Sequence, residues 1–311
     1  MKRYAPAIPL AIALAAVIYS ALAEQPPVTP PPPAAAPVDI TKPWPSPEVV
    51  QNIKMPPPRS KKEVDPVLAA LPPMTDAEKQ RPFHIILCAA EKDPGHNGPG
   101  FHDYPIWRER WTKILAGVPA VTAEPADKWP TEAQFKKADA IAFFHHNPEW
   151  TAARGPELDA FLARGGGLVF LHFSINGNEE PQPLADRIGR AWTGNKWLRG
   201  DMNLKFSAHE ITKGLPESDI RPEEPYWNLL GEGAGTTTIA AMDAEGAAQP
   251  QAWSAERGGG RIFVYLPCHF TWTHDDPLFR VLAYRGLCWT AKRPLNRLDA
   301  AIFTGTRVSE P

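Results

Sequence analysis

The chain has 311 residues, with 33 Lys or Arg against 35 Asp or Glu and a formal charge of −2. Its only basic run is Arg59-Ser60-Lys61-Lys62, which argues against a nucleic-acid partner, because phosphate binding needs a concentrated basic face. Three cysteines (Cys88, Cys268 and Cys288) are too few for a disulfide framework.

Lys2 and Arg3 precede an apolar stretch, Ala7 to Ala21, and Ala21-Leu22-Ala23 fits the small-x-small cleavage rule. Residues 1–23 therefore read as a signal peptide, with a periplasmic or extracellular mature protein starting at Glu24. The stretch falls short of the ~20 residues of a membrane span, and none is expected after cleavage. Residues 24–80 are proline-rich, with 13 of the 37 prolines between Pro26 and Pro58. Proline removes amide donors and favours extended chain, so this stretch reads as a disordered tether. Residues 81–311 remain as one α/β domain.

In that domain His84 to Ala90 is a continuous apolar run, as expected of a strand buried on both faces. A Gly/Pro/His-rich loop, Asp93 to Asp103, leads to a helix from Pro105 to Ala116 with Trp107, Trp111, Ile114 and Leu115 on one side. Ala140 to Phe144 repeats the strand pattern, Glu157 to Ala163 a helix, and Leu168 to Leu171 a third strand after Gly165-Gly166-Gly167. Shorter strands are predicted at Thr236–Met242 and Gln251–Ser254, then Arg261–Leu266 and a last helix from Pro277 to Lys292. This alternation predicts a doubly wound, mostly parallel sheet.

In open α/β sheets the ligand crevice lies beyond the carboxyl ends of the strands. Seven of the nine histidines fall there: His96, His102, His145, His146, His172, His269 and His274. His84 and His209 read as structural, and Lys196 and Arg199 as part of a solvated loop. Trp192, Trp197, Trp227, Trp253 and Trp272 are available to stack on sugar rings, although most buried tryptophans serve the core.

Several segments resemble the ThuA-like (trehalose-utilisation) family. They are His102-Asp103-Tyr104, the Gly165-Gly166-Gly167 strand ending in His172-Phe173-Ser174, His209 to Leu215, Glu223-Glu224-Pro225-Tyr226, Leu266-Pro267-Cys268-His269 and Asp276-Pro277. The resemblance runs from about Phe83 to Pro294. It implies a flavodoxin-like fold similar to class I glutamine amidotransferases and a small-molecule sugar as partner. The strand ends and these motifs together offer Asp103, Tyr104, Ser174, Asn176, Tyr226 and Trp272 as candidates for substrate contact.

Class I amidotransferases place a cysteine nucleophile on the sharp turn after the strand that matches Leu168–Leu171. Here that turn is His172-Phe173-Ser174, without a thiol, so amidotransferase chemistry is not expected. His102, His172, Glu224 and His269 are the candidate catalytic residues. One reading is metal-free acid–base chemistry on a disaccharide, glycoside or keto-sugar, by a hydrolase, lyase or isomerase. A second has the same residues bind a divalent metal such as zinc for sugar hydrolysis. No H-x-H or H-x-x-x-H spacing favours the metal, so no cofactor is assigned. The third is a non-catalytic carbohydrate-binding or scaffold module.

Overall fold

The computed structural model describes residues 38–194, 196 and 198–309. The signal peptide, its cleavage site and the first part of the expected tether lie outside the described residues.

One sheet holds nine strands. In chain order they are β1 (Phe83–Ala89), β2 (Val121–Asp127), β3 (Ala140–Phe143), β4 (Gly167–Leu171), β5 (Gly200–Phe206), β6 (Ser218–Glu223), β7 (Thr236–Ala244), β8 (Ala247–Arg257) and β9 (Gly260–Tyr265). Across the sheet they run β2-β1-β3-β4-β9-β8-β7-β5-β6. The pairings from β2 to β9 are parallel. Those from β9 to β6 are antiparallel. The α/β architecture is thus as expected, but its parallel character belongs to one half of the sheet.

The helices are α1 (Lys61–Ala69), α2 (Asp76–Gln80), α3 (Tyr104–Ala116), α4 (Glu132–Lys137), α5 (Gly155–Ala163), α6 (Pro181–Ile188) and α7 (Pro277–Thr290). Alternate residues of β1 feed two cores. Ile85, Leu87 and Ala89 pack with Trp107, Trp111 and Ile114 of α3 and with Val281, Leu282 and Leu287 of α7. Ile86 and Cys88 pack with Leu158, Phe161 and Leu162 of α5 and with Leu184 and Ile188 of α6. Helices on both faces explain why β1, β3 and β4 are apolar throughout rather than alternating. Gly165, with φ +89°, ends α5 in a backbone conformation that costs glycine nothing. Asp276 starts α7 by accepting from the amides of Leu278 at 2.8 Å and Phe279 at 3.3 Å.

Residues 38–80 correct the tether reading. Trp44, Val64 and Val67 are buried in the main core, and residues 49–54 form a small hairpin, Val49–Val50 against Ile53–Lys54. Arg59–Ser60 also pairs in parallel with Val308–Ser309, and arginines tie the rest of the segment down. Arg110 donates to the carbonyls of Asp39 at 3.0 Å and Lys42 at 2.9 Å, and Arg285 to that of Val67 at 2.7 Å. The Arg59 guanidinium pairs with Asp219 and Asp276. Proline-rich chain can thus be ordered from outside itself, by donors on the domain that use its free carbonyls. Among the described residues no helix is long and apolar enough to cross a membrane.

Candidate functional site

β4 ends at Leu171, and the chain turns at once into a short 3-10 segment, His172–Ile175. His172 takes φ +52°, a left-handed conformation that is strained for a side chain with a Cβ. The sharp elbow is therefore built, and an imidazole stands on it. Its Nδ1 lies 2.8 Å from the carbonyl oxygen of Leu266. A carbonyl only accepts, so Nδ1 carries the proton and Nε2 presents a lone pair.

His102 repeats the pattern, with φ +49°. Phe101 and Phe270 form an isolated antiparallel bridge, and the His102 amide donates to the His269 carbonyl at 3.2 Å, so the two loops are tied together. His102 Nδ1 lies 2.7 Å from Asp93 Oδ1, again leaving Nε2 as the free acceptor. The same Asp93 also contacts His96. His269 is held by its own amide, which donates to Glu223 Oε2 at 3.0 Å. Its Nε2 donates to Gln51 Oε1 at 2.9 Å, leaving Nδ1 as the acceptor.

These three lone pairs converge. His102 Nε2 is 3.0 Å from His172 Nε2 and 2.9 Å from His269 Nδ1, and the last two are 3.2 Å apart. Glu224 Oε2 joins them at 3.3 Å from His172 Nε2 and 3.2 Å from His269 Nδ1. The Tyr226 hydroxyl sits 2.9 Å from His172 Nε2 and 3.1 Å from Glu224 Oε2. All four ligand-type residues are buried.

Burial lowers the pKa of His102 well below its ordinary value, against the pull of Asp93. It also lowers that of His269 to about 4, against the pull of Glu224. Burial works against ionising Glu224, while the Arg199 guanidinium, with Nε 2.7 Å from Oε1, favours its carboxylate. Burial likewise opposes ionisation of Asp93, and His102 and His96 outweigh it. With the far-side hydrogen bonds made, the three facing ring nitrogens and Glu224 Oε2 are all acceptors. Four acceptors at such distances attract a cation. Three imidazoles and a carboxylate, with each opposite ring nitrogen donating to an oxygen, are a donor set and outer support that could hold a divalent transition metal.

Of the six residues expected to touch substrate, only Tyr226 reaches this centre. Tyr104 stacks on the His102 ring, centroids 5.2 Å apart. Asp103 lies in the loop structure, accepting from Lys92 Nζ at 2.6 Å and the Gly100 amide at 3.1 Å. Ser174 Oγ donates back to the Leu171 carbonyl at 2.8 Å. Asn176 joins loops through the His146 carbonyl and Asn178. Trp272 stacks on Phe270 in a small core with Val50 and Phe101. Local hydrogen bonds and packing therefore engage these four away from the cluster. Trp197 lies outside the described residues.

Among the remaining histidines, His209 Nδ1 accepts from the Ile211 amide at 3.1 Å, and His274 Nε2 faces the Cys268 carbonyl at 3.1 Å. Arg199 is not simply solvated: its Nε lies 2.7 Å from Glu224 Oε1. Gln51, Asp93 and Glu223 were not found as site residues from sequence. Asp93 opens the histidine-bearing loop, which was the one available signal. A surface hollow of about 580 Å³ is lined by residues of α4, α5 and their flanks, among them Phe135, Arg154 and Phe161. It includes none of the cluster residues, so the chemistry is assigned to the buried centre.

An α/β protein with a buried three-histidine, one-glutamate centre at its strand ends is the class defined by this geometry. The sequence model of the ThuA family, described as trehalose utilisation, matches residues 110–290, and the chain belongs to that family. Membership connects it with carbohydrate metabolism. Comparison with curated proteins gives no match. Among solved structures, a ThuA-like protein from Bacteroides uniformis aligns with a TM-score of 0.56 at 16% identity, covering 72% of this chain and 99% of that one. A ThuA-like protein from Parabacteroides merdae aligns with a TM-score of 0.50 at 16% identity, covering 68% and 90%. These likenesses concern the fold.

Proposed function

We propose that this ThuA-family protein is an exported enzyme of carbohydrate metabolism, in which His102, His172, Glu224 and His269 hold a divalent transition metal beside a sugar or keto-sugar. The supporting observation is the convergence of three imidazole lone pairs and one carboxylate oxygen, with each ring's proton engaged on its far side. A bound divalent cation would polarise a carbonyl or hydroxyl oxygen and acidify a bound water. The chain's own part is to fix the donors and to exclude bulk water, which strengthens every charge interaction inside. Tyr226 offers a hydroxyl proton beside His172 and Glu224, in position to orient or protonate a substrate oxygen. Of the side chains touching the cluster, Gln51 and Arg199 are partly exposed, and substrate would approach on their side.

Acid–base catalysis without a metal is the weaker reading. Burial holds His102 and His269 neutral, and their protons face Asp93 and Gln51 rather than the cluster. The deciding experiment incubates the full mature chain with disaccharides and keto-glycosides after chelation, and after reloading with zinc, manganese or cobalt. Turnover should depend on the metal and vanish in His172→Ala. Full turnover after exhaustive chelation would support the acid–base reading, and heat of binding without turnover the non-catalytic one.

Export rests on Lys2, Arg3, the apolar stretch and Ala21-Leu22-Ala23. N-terminal sequencing of protein from the exporting cell should begin at Glu24, and a chain that keeps residues 1–23 would contradict cleavage.

A further inference from the structure

The family match starts at residue 110, yet one side chain in contact with the histidine cluster comes from far upstream. Gln51 and Asn52 have φ of +50° and +66°, two consecutive left-handed residues of the kind that close a two-residue hairpin turn. The strands they join pair Val50 with Ile53 and Val49 with Lys54. Val50 is buried against Phe101, Phe270 and Trp272, with Ile53 and Met55 packed alongside. Gly100 makes room for this: a Cβ there would come within 2.6 Å of Val50 Cγ2. The hairpin is anchored on both sides. Before it, the Trp44 amide donates to Asp275 and Ser46 bonds Thr271; after it, Arg307 donates to the Pro56 carbonyl and Arg59 pairs with Asp219. A turn held this firmly delivers the Gln51 carboxamide to His269 Nε2 at 2.9 Å.

We propose that Gln51 is a positioning residue of the metal centre: its Oε1 accepts the His269 Nε2 proton and so fixes the tautomer in which Nδ1 offers its lone pair to the cation. The inference rests on the metal reading of the cluster and extends the site into the segment that precedes the family domain. His172 and His102 have acceptors that cannot be reversed, a backbone carbonyl and an ionised carboxylate. His269 alone depends on a group with both an acceptor and a donor. If Gln51 turned its NH2 to the ring, His269 Nε2 would become the acceptor and Nδ1 would carry a proton into the centre. A glutamate at this position can only accept, and a leucine can do neither.

The test uses Co2+ as the probe on the full mature chain, read by its visible absorption and by competition with a chelator of known affinity. Wild type, Gln51→Glu, Gln51→Leu, Gln51→Ala and His172→Ala are compared, with melting of the metal-free proteins to confirm that each is folded. Wild type and Gln51→Glu should bind Co2+ with similar affinity and similar spectra. Gln51→Leu and Gln51→Ala should bind about 10–100-fold more weakly, the range for loss of an outer hydrogen-bond partner, with altered bands. Equal affinity and an unchanged spectrum in folded Gln51→Leu and Gln51→Ala would overturn the role of Gln51 while leaving the metal centre standing. Wild type binding Co2+ no better than His172→Ala would overturn the metal reading itself, and the role of Gln51 with it.

Discussion

His102 Nε2 and His172 Nε2 stand 3.0 Å apart, and each ring has its proton engaged on the opposite side, at Asp93 and at the Leu266 carbonyl. Two buried lone pairs at that separation repel unless something positive lies between them or beside them. Glu224 adds a negative oxygen to the same point, which makes the need for a cation greater.

Replacing His172 by Ala or Glu224 by Gln should therefore abolish turnover and any rise in melting temperature on adding metal, because a ligand stabilises only the state that binds it. Without metal the losses should be modest. His172→Ala removes one of two donors to the Leu266 carbonyl, which still accepts from the Cys268 amide at 2.8 Å. The cost is that of one hydrogen bond, about 0.5–1.5 kcal/mol, partly offset by relief of the lone-pair repulsion. His84→Ala, which removes only a partner of Glu124, should change neither turnover nor metal response. Thermal scans with and without metal check all three.

Cutting the chain at residue 81 should be harmful, whereas a start at Val38 keeps all the packing seen here. The longer deletion removes Trp44, Val64 and Val67 from the core, each worth about 1.5–3 kcal/mol when fully buried. It also takes the carbonyls of Asp39 and Lys42 from Arg110 and that of Val67 from Arg285. Urea midpoints of the two truncated chains should differ by several kcal/mol in stability. Equal midpoints would show that residues 38–80 contribute nothing to the domain.

Burial pushes the Asp299 carboxyl up to about 6 from 3.8, with Arg285 working against the shift. A carboxyl with a raised folded-state pKa keeps its proton longer in the folded chain than in the unfolded one. Its contribution to stability therefore falls as pH rises from about 4 to about 6. Asp299→Asn does not titrate, so wild type should lose stability relative to it across that window. Denaturation midpoints of the pair near pH 4.5 and near pH 7 give the measurement. A constant difference between them would contradict the shift.

How much of this was legible in sequence varied with the physics of each element. β1, β3 and β4 are covered on both faces, so their residues form the continuous apolar runs that mark buried strands. β6 was invisible because its pattern is inverted: Asp219, Arg221 and Glu223 point inward to ion pairs and hydrogen bonds while Ile220 is 67% exposed. β2 contains Pro125 at a sheet edge, which weakens any strand signal. β5 was missed for a different reason: it buries only Met202 and Leu204, too few apolar positions to stand out. At the site, His102, His172, His269 and Glu224 were found because strand ends and family motifs mark them. Their supports were not. Asp93 sits in an irregular loop, and Gln51 lies between Pro47 and Pro56, where composition suggests disorder and periodicity gives no sign of the hairpin.

The central claim is that the histidine–glutamate cluster is a metal centre. Its most direct test is the metal content of the protein, purified without chelators or affinity metals and measured by inductively coupled plasma mass spectrometry beside His172→Ala and Glu224→Gln. The account predicts close to one divalent transition-metal ion per chain in wild type and a large loss in both variants. Wild-type protein without bound metal that also fails to take up zinc, manganese or cobalt on dialysis would contradict it.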